Sequence, residues 1–270
     1  MNTLYDDYKE FENLIIGCDE PEIQDLNIEA HHPTTLLPLF CYLNRYENYI
    51  ENNLINEIFE DINVNQNNIL RKLPFHLSSI DKEEYIEILT NEINFSDYAG
   101  FLSMFFISNE LITNIYNHTP FKEGLTSQAY VFTKEYPKHD LLDFAIIDDG
   151  LGIPGNFERH NINILDDCDA ISQAVNQVST EKDDTNPLKY SRGFGLWSTL
   201  KLVIEGNGGN ALIVSRNGCL HILDKDNYKY YNLNNSNIFK GTLVSLRFRK
   251  NQIQNFYDLI EISGKSSYNY

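Results

Sequence analysis

Hydrophobic and polar residues alternate most clearly in the second half of the chain. Short apolar runs and alternating segments predict strands at 128–133, 141–147, 210–215, 219–223, 228–233 and 242–248. The 141–147 run is almost wholly apolar, which favours a central place in a sheet. Asn217-Gly218 separates two of these strands, and this dipeptide is a strong signal for a hairpin turn.

Helices are predicted between these strands. Residues 99–118 carry an apolar stripe, 166–178 fit a shorter helix, and 195–205 form a third one. Residues 179–191 are polar without a period and predict a loop. The pattern as a whole predicts an α/β protein, in which helices cover one face of a mixed, mostly antiparallel sheet as a two-layer sandwich.

The first part of the chain is less regular. Up to about residue 22 it is acidic and predicts a short helix and a loop. A strand is expected at 23–28, a helix from Pro33, a second strand at 54–62 and a short helix at 67–75. This order predicts a smaller α/β domain ahead of the main one.

Charge divides the chain in the same way. Of the net charge of −18, residues 1–98 contribute −15, from 20 Asp and Glu against 5 Lys and Arg. We therefore expect an acidic domain at 1–98, a second domain at 99–250 and a tail at 251–270. The acidic half fits a solvated surface or a docking face for a protein partner. It argues against nucleic acid, which needs clustered cations.

The remaining composition narrows the class of protein. No apolar run is long enough for a membrane span. The acidic start lacks the pattern of a signal peptide. The four cysteines are widely spaced, which speaks against structural zinc or a disulfide framework. We expect a cytoplasmic protein without membrane contact.

Three polar side chains share one stripe of the 99–118 helix. Glu110, Asn114 and His118 follow one another at intervals of four residues. A polar stripe can simply face water. With suitable partners, Asn114 offers an oxygen ligand for Mg²⁺, and Glu110 a base for a water that attacks phosphorus. His118 fits either a phosphate contact or the C-terminal cap of the helix.

Two glycine-containing segments follow. Asp148 follows the 141–147 strand, and Gly150 and Gly152 come two and four residues after it. The segment is either a plain turn or an adenine site, in which the buried carboxylate accepts a hydrogen bond from the amine.

Arg192-Gly193-Phe194-Gly195-Leu196 opens a helix after the polar loop. Free N–H groups there can hold phosphate, and the chain has neither a P-loop nor the dinucleotide fingerprint. Lys182 and Lys189 are further cations of that loop, but acidic neighbours match them, so Arg192 is the best candidate for a phosphate contact.

In this order, the motifs resemble the GHKL superfamily of gyrase, heat-shock chaperone, histidine-kinase and mismatch-repair ATPases, which share the Bergerat fold. Glu110, Asn114 and His118 resemble its N-box, and the two glycine segments resemble its glycine boxes. Gly241-Thr242 resembles the closing strand, whose threonine supports the adenine-binding aspartate. The resemblance covers about 99–250. The early β-α-β-α order resembles STAS domains.

The resemblance implies a function and a role for each residue. Glu110 would be the general base, Asn114 the Mg²⁺ ligand and Asp148 the adenine contact, with ATP bound under a lid at 156–191. Gly150, Gly152, Gly193, Gly195, Leu196 and Thr242 would shape the site.

Two departures stand out. Trp197 replaces a family glycine, and no phosphoacceptor helix precedes Glu110. We therefore expect slow ATP hydrolysis as a conformational switch that acts on a protein partner. A serine or histidine kinase of the anti-sigma type and an ATP-binding module without turnover are the alternatives.

Overall fold

The computed structural model describes residues 1–16, 31–46, 68–75, 79–92, 97–118, 124, 128–176, 195–233 and 240–261. Within these ranges the helices are α1 (Leu4–Ile16), α2 (Pro33–Tyr46), α3 (Ser79–Glu92), α4 (Phe101–His118), α5 (Gly152–Arg159), α6 (Asp167–Val175), α7 (Gly195–Lys201) and α8 (Phe256–Glu261). The strands are β1 (Asn68–Lys72), β2 (Ala129–Tyr136), β3 (Leu141–Asp148), β4 (Asn210–Ser215), β5 (Gly218–Asp224), β6 (Asn227–Asn232) and β7 (Thr242–Arg249). A π-helical turn, Leu202–Gly206, follows α7 directly.

The seven strands form one sheet in the order β1-β2-β3-β7-β4-β5-β6, with antiparallel pairing throughout. The six strands predicted in the second half are confirmed as β2 to β7, and the Asn217-Gly218 turn joins β4 to β5. Arg216 enters this turn with a φ of +51°. β3 and β7 lie side by side near the middle, which agrees with the apolar character of the 141–147 run.

Both faces of the sheet are buried. On β3, Phe144 and Ile146 point into a core shared with α4 and α6, because alternate residues face opposite sides of a strand. Ala145 and Ile147 point into a second core, which α1 and α2 cover with Tyr8, Phe11, Leu37 and Phe40. The sequence-based prediction placed helices on one face of the sheet, and in the described residues α1 and α2 also cover the other face. The chain is a mixed α/β protein with helices against both faces of an antiparallel sheet.

The first 98 residues are built into the same sheet. The segment at 67–75, predicted as a helix, is strand β1, which pairs with β2 along its whole length. Leu70 of β1 shares the second core with α1 and α2. The predicted boundary near residue 98 therefore does not separate two cores in the described residues. The strands expected at 23–28 and 54–62 lie outside the described ranges.

Ionic contacts explain why the charge difference does not mark a break in packing. Arg247 of β7 donates to both oxygens of Asp143 on β3 and to Oδ2 of Asp7 on α1, at 2.6–3.0 Å. An acidic residue of the first half is thus neutralised by a cation of the second half. In the helices that the structure describes, none combines the length and apolar character that a membrane span requires.

Candidate functional site

The polar stripe of α4 lies at the edge of the first core. Leu111, Ile112 and Ile115 bury the opposite side of the helix. Glu110, Asn114 and His118 remain partly accessible on the other side, as the spacing predicts. Burial raises the pKa of Glu110 above its ordinary value, and the positive charge of Lys82 acts against this rise.

Glu110 meets the start of α7. A Cβ atom at Gly195 would collide with Oε2 of Glu110 and would lie 3.1 Å from its Cδ. Gly195 is buried, and the carboxylate of Glu110 therefore lies directly over its Cα. The close approach requires a residue without a side chain at this position. Two motifs 85 residues apart are in contact here.

His118, the last residue of α4, meets the segment after the first glycine box. The Asn156 side-chain amide on α5 donates to Nδ1 of His118 at 3.3 Å, in the tautomer that leaves Nδ1 unprotonated. Asn156 is buried. Asn156 could not be singled out in the sequence, because its only distinguishing feature there is its position four residues after Gly152. The stripe of α4 thus contacts both glycine-containing regions.

Asp148 is buried at the end of β3, as the sequence predicts. Its Oδ1 accepts a hydrogen bond from the Gly150 N–H at 2.9 Å. Burial raises the pKa of Asp148 to about 7, although the backbone N–H groups of Gly150 and Thr242 act against the rise. The next residue, Asp149, holds the turn in place through Oδ1, which accepts from the Gln128 N–H at 2.9 Å.

Gly241 and Thr242 close the site over Asp148. Thr242 is the register partner of Asp148 across β3 and β7. A Cβ at Gly241 would collide with the carbonyl oxygen of Asp148 and would lie 2.9 Å from the Cα of Asp149. The backbone of this segment therefore lies flat on the Asp148–Asp149 peptide. Only glycine permits that contact.

Two features of the structure require glycine at position 152. Its φ is +72°, which favours glycine, and a Cβ there would lie 2.7 Å from both the Lys240 carbonyl oxygen and the Ser215 Oγ. This tight turn lets α5 begin directly beside β4 and the start of β7. Gly152 therefore combines a sharp turn with a close approach to β4 and the start of β7, and the closeness of both glycines to a bound ring stays a prediction.

Ser215 at the end of β4 is a hydrogen-bonding centre that the sequence did not reveal. Its Oγ accepts from the Ile153 N–H at 2.8 Å and lies 3.1 Å from both the Gly241 carbonyl oxygen and the Thr242 Oγ1. The first turn of α5, the closing strand and β4 are thereby joined. A strand-end serine has no distinguishing pattern, so only the sheet order could expose this role.

Lys82 is a second residue that sequence analysis missed. It lies on α3, which packs beside α4, and its Nζ donates to Thr113 Oγ1 at 2.8 Å. Thr113 comes directly before Asn114 on the stripe. The sequence placed Lys82 in a separate acidic domain, and the packing of α3 on α4 brings it to the site instead.

The predicted lid and phosphate loop are described only in part. Arg192, Gly193, Lys182 and Lys189 lie outside the described residues. Of the lid predicted at 156–191, residues 156–176 contain the end of α5 and all of α6, and Ile171 and Val175 of α6 are buried in the first core. The α6 part of the predicted lid is therefore packed against the first core. Leu196 packs partly buried against the same core, and the Lys201 ammonium lies 4.9 Å from the centre of the Trp197 ring.

The donor set on α4 suits a magnesium ion with bound water. Asn114 supplies a neutral amide oxygen and Glu110 a carboxylate, and Mg²⁺ takes few protein oxygens together with waters and phosphate oxygens. A base beside a glycine that admits close approach can also orient a water against a phosphate. Asn114 and Glu110 are therefore residue types that could hold Mg²⁺.

A second group of possible metal ligands lies on the other face of the sheet. Ligand atoms of Asp7, His32 and Asp143 lie within 4.8 Å of one another. The Arg247 guanidinium already bonds both carboxylates and supplies the positive charge that a metal would bring. We therefore regard this group as an ion-pair cluster and assign it no metal.

Comparison with known proteins adds no family to this description. No protein-family model matches the chain, and no curated protein matches it.

Proposed function

We propose that this chain binds ATP with Mg²⁺ and hydrolyses it slowly, as a conformational switch that acts on a protein partner. One observation carries the proposal. A single helix face touches both glycine-containing regions, through Glu110 at Gly195 and through His118 at Asn156. Segments more than 80 residues apart in sequence come together around the stripe, as a nucleotide site built from these motifs requires.

The residues have distinct roles in the proposed site. Asp148 accepts a hydrogen bond from the adenine amine, and Gly150 and Thr242 hold its carboxylate in place. Asn114 lies one turn from both Glu110 and His118 and provides the magnesium ligand. Magnesium supplies charge neutralisation to the phosphates. Arg192, Gly193 and Leu196 complete the phosphate end of the site in this proposal.

Glu110 acts as the general base. The oxygen of a water molecule forms a bond to the γ-phosphorus while one of its protons passes to the Glu110 carboxylate. The bond between the γ-phosphorus and the bridging oxygen breaks, and its electron pair stays on ADP. Glu110 then returns the proton to solvent. The raised pKa of this partly buried carboxyl makes it a better proton acceptor than an exposed one.

The fold supports a histidine-kinase-like ATPase domain of the Bergerat type. An antiparallel sheet carries α4, α6 and α7 on one face, and the proposed site lies where β3 ends and β7 begins, beside α4. In this proposal α1 and α2, which cover the other face, are the means by which a nucleotide-dependent change reaches a partner. Cytoplasmic location and absence of nucleic-acid binding belong to the same proposal.

Turnover of γ-labelled ATP tests the function. Purified protein is incubated with Mg²⁺ and labelled ATP, alone and with cell extract. Free phosphate without labelled protein supports the switch. A labelled partner indicates a kinase, and bound ATP without any product indicates a binding module.

Glu110→Gln should lower turnover by about 100-fold or more and keep ATP binding. Full turnover in Glu110→Gln would rule out the assigned base.

A further inference from the structure

Arg216, in the turn between β4 and β5, has a backbone conformation that disfavours its own side chain. Its φ of +51° lies in the left-handed region. Of the non-glycine residues that the structure describes, three have a positive φ, and the other two are Asp140 and Asn161. Aspartate and asparagine tolerate this region, whereas arginine does not favour it. A strained residue is kept where its side chain has a task that no relaxed residue performs.

The side chain of Arg216 contacts α5 at three points. Its Nε donates to the carbonyl oxygen of Leu151, the N-cap residue of α5, at 3.1 Å. Its Nη1 donates to Oε1 of Glu158, in the last turn, at 2.9 Å. Between these ends, a Cβ atom at Gly155 would collide with Nη2 of the guanidinium. The guanidinium group therefore lies against the backbone of α5 and bonds both ends of the helix.

Helix α5 connects the two ends of the proposed site. Two residues before the helix, the N–H of Gly150 donates to Oδ1 of Asp148 at 2.9 Å. In the helix itself, the Asn156 amide donates to Nδ1 of His118 at 3.3 Å. Asn156 directly follows the glycine that lies under the Arg216 guanidinium. The contacts of Arg216 with α5 therefore bear on the place where Asn156 meets α4.

The next residue of the turn has a different partner. The backbone N–H and the side-chain amide of Asn217 donate to Oδ2 of Asp167, in the first turn of α6, at 2.9 and 3.1 Å. The turn thus holds α6 through Asn217 and α5 through Arg216. Stability alone gives little reason for the arginine, because its ion pair with Glu158 is exposed and such pairs contribute little.

We propose that Arg216 is a positioning residue, which fastens α5 in the place that brings Asn156 to His118. The inference rests on the proposed function for the meaning of that placement, since the nucleotide gives the contact its use. Its physical content is independent of ATP. One guanidinium group keeps α5 docked on the β4–β5 turn, and this docking can be measured in the protein without nucleotide.

Hydrogen exchange of the protein without nucleotide tests the docking of α5. Arg216→Asn removes the guanidinium and introduces a residue that tolerates the left-handed φ. Its urea unfolding midpoint should stay the same or rise, because relief of the strain offsets the loss of an exposed ion pair. The backbone amides of α5 should nevertheless exchange at least about tenfold faster, since the helix opens locally.

Arg249→Asn is the matched control for this experiment. Arg249 is also exposed and donates to a backbone carbonyl, that of Gly208, at the other end of the sheet. This variant should leave the exchange of α5 unchanged. Unchanged exchange of α5 in folded Arg216→Asn would overturn the proposal. A lower unfolding midpoint with faster exchange throughout the sheet would also overturn it, because Arg216 would then be a structural support only.

The affinity for Mg-ATP separates this inference from the proposed function. If both hold, Arg216→Asn binds at least about fivefold more weakly, and it adds little to the effect of Asn156→Ala, because both changes act through α5. If α5 exchanges faster but the unaltered protein does not bind Mg-ATP, the docking role stands and the proposed function fails. If the unaltered protein and Arg216→Asn bind equally well, the proposed function stands and the positioning role is refuted.

Discussion

At the scale of single residues, the buried carboxyl of Asp148 lowers the stability of the folded protein when it is ionised. Its carboxyl is buried at the end of β3, and burial raises its pKa to about 7 in the folded protein, against 3.8 for the free group. Ionisation above this pH places a negative charge in a position with little hydration. A carboxyl kept in such surroundings is typical of a functional position.

The raised pKa predicts how stability depends on pH. Between about pH 4 and pH 7 the folded state holds a proton at Asp148 that the unfolded state has released. Unfolding is therefore favoured as pH rises through this window, and Asp148 contributes a loss on the order of 4 kcal/mol. Asp148→Asn should remove that contribution, so the variant should be more stable than the unaltered protein at pH 8.

Urea unfolding at a series of pH values checks this expectation. The Asp148→Asn variant should still lose some stability as pH rises, because burial raises the pKa of Asp7 to about 6. Asp226→Asn, at an exposed turn, is the control, and its free energy of unfolding should fall with pH as steeply as that of the unaltered protein. An identical pH dependence in Asp148→Asn and the unaltered protein would show that Asp148 titrates normally.

At the scale of elements, the contact between α4 and α7 depends on Gly195. Gly195→Ala would place a methyl group against the Glu110 carboxylate, so one of the two helices must shift. We expect a destabilisation of about 1 to 3 kcal/mol, as for overpacked positions, and a loss of turnover. Thermal or urea unfolding measures the first, and phosphate release the second.

A second substitution tests whether this contact is the cause. Glu110→Ala removes the atoms that the new methyl group meets. The double variant Gly195→Ala/Glu110→Ala should therefore be more stable than Gly195→Ala alone, which gives a favourable coupling energy in a double-mutant cycle. Strictly additive effects would place Glu110 away from Gly195.

The accuracy of the sequence-based predictions follows the same division into elements. The strands β2 to β7 and the helices α2 and α4 could be predicted because their hydrophobic period is regular. Strand β1 is wrongly predicted as a helix, because Asn68-Ile-Leu-Arg-Lys72 is short and its hydrophobic spacing mixes that of a helix with that of a strand. The roles of Lys82, Asn156 and Ser215 could not be predicted, since each depends on packing between segments distant in sequence.

At the scale of the whole molecule, one buried ion-pair cluster connects the ends of the chain. Arg247 bonds Asp143 and Asp7, and His32 lies 3.7 Å from Asp7 and 3.8 Å from Asp143. Burial alone would raise the pKa of Asp143, but the hydrogen bonds from Arg247 and the nearby His32 ring outweigh it and hold the pKa below its ordinary value. The cluster attaches α1 to the centre of the sheet.

Loss of the Arg247 guanidinium should loosen the packing of the second core. Arg247→Met leaves two buried carboxylates without their partner, which costs about 3 to 5 kcal/mol. Cys41 and Cys219 are buried in that core, so both should react faster with a thiol reagent. Arg249→Met on the same strand is the control, because Arg249 is exposed and should cost about 1 kcal/mol or less. Equal stability of the two variants would contradict the role of the cluster.

The sheet, the polar stripe of α4 and the buried Asp148 together make nucleotide binding the central claim. Calorimetric titration of Mg-ATP into the full chain tests it most directly, with Asp148→Asn and Asp226→Asn as a matched pair. We expect saturable binding at one site for the unaltered protein and for Asp226→Asn. Asp148→Asn, although folded, should bind at least about tenfold more weakly, because a charged hydrogen bond is lost. Absence of binding to the folded protein, or equal affinity of Asp148→Asn, would contradict the claim.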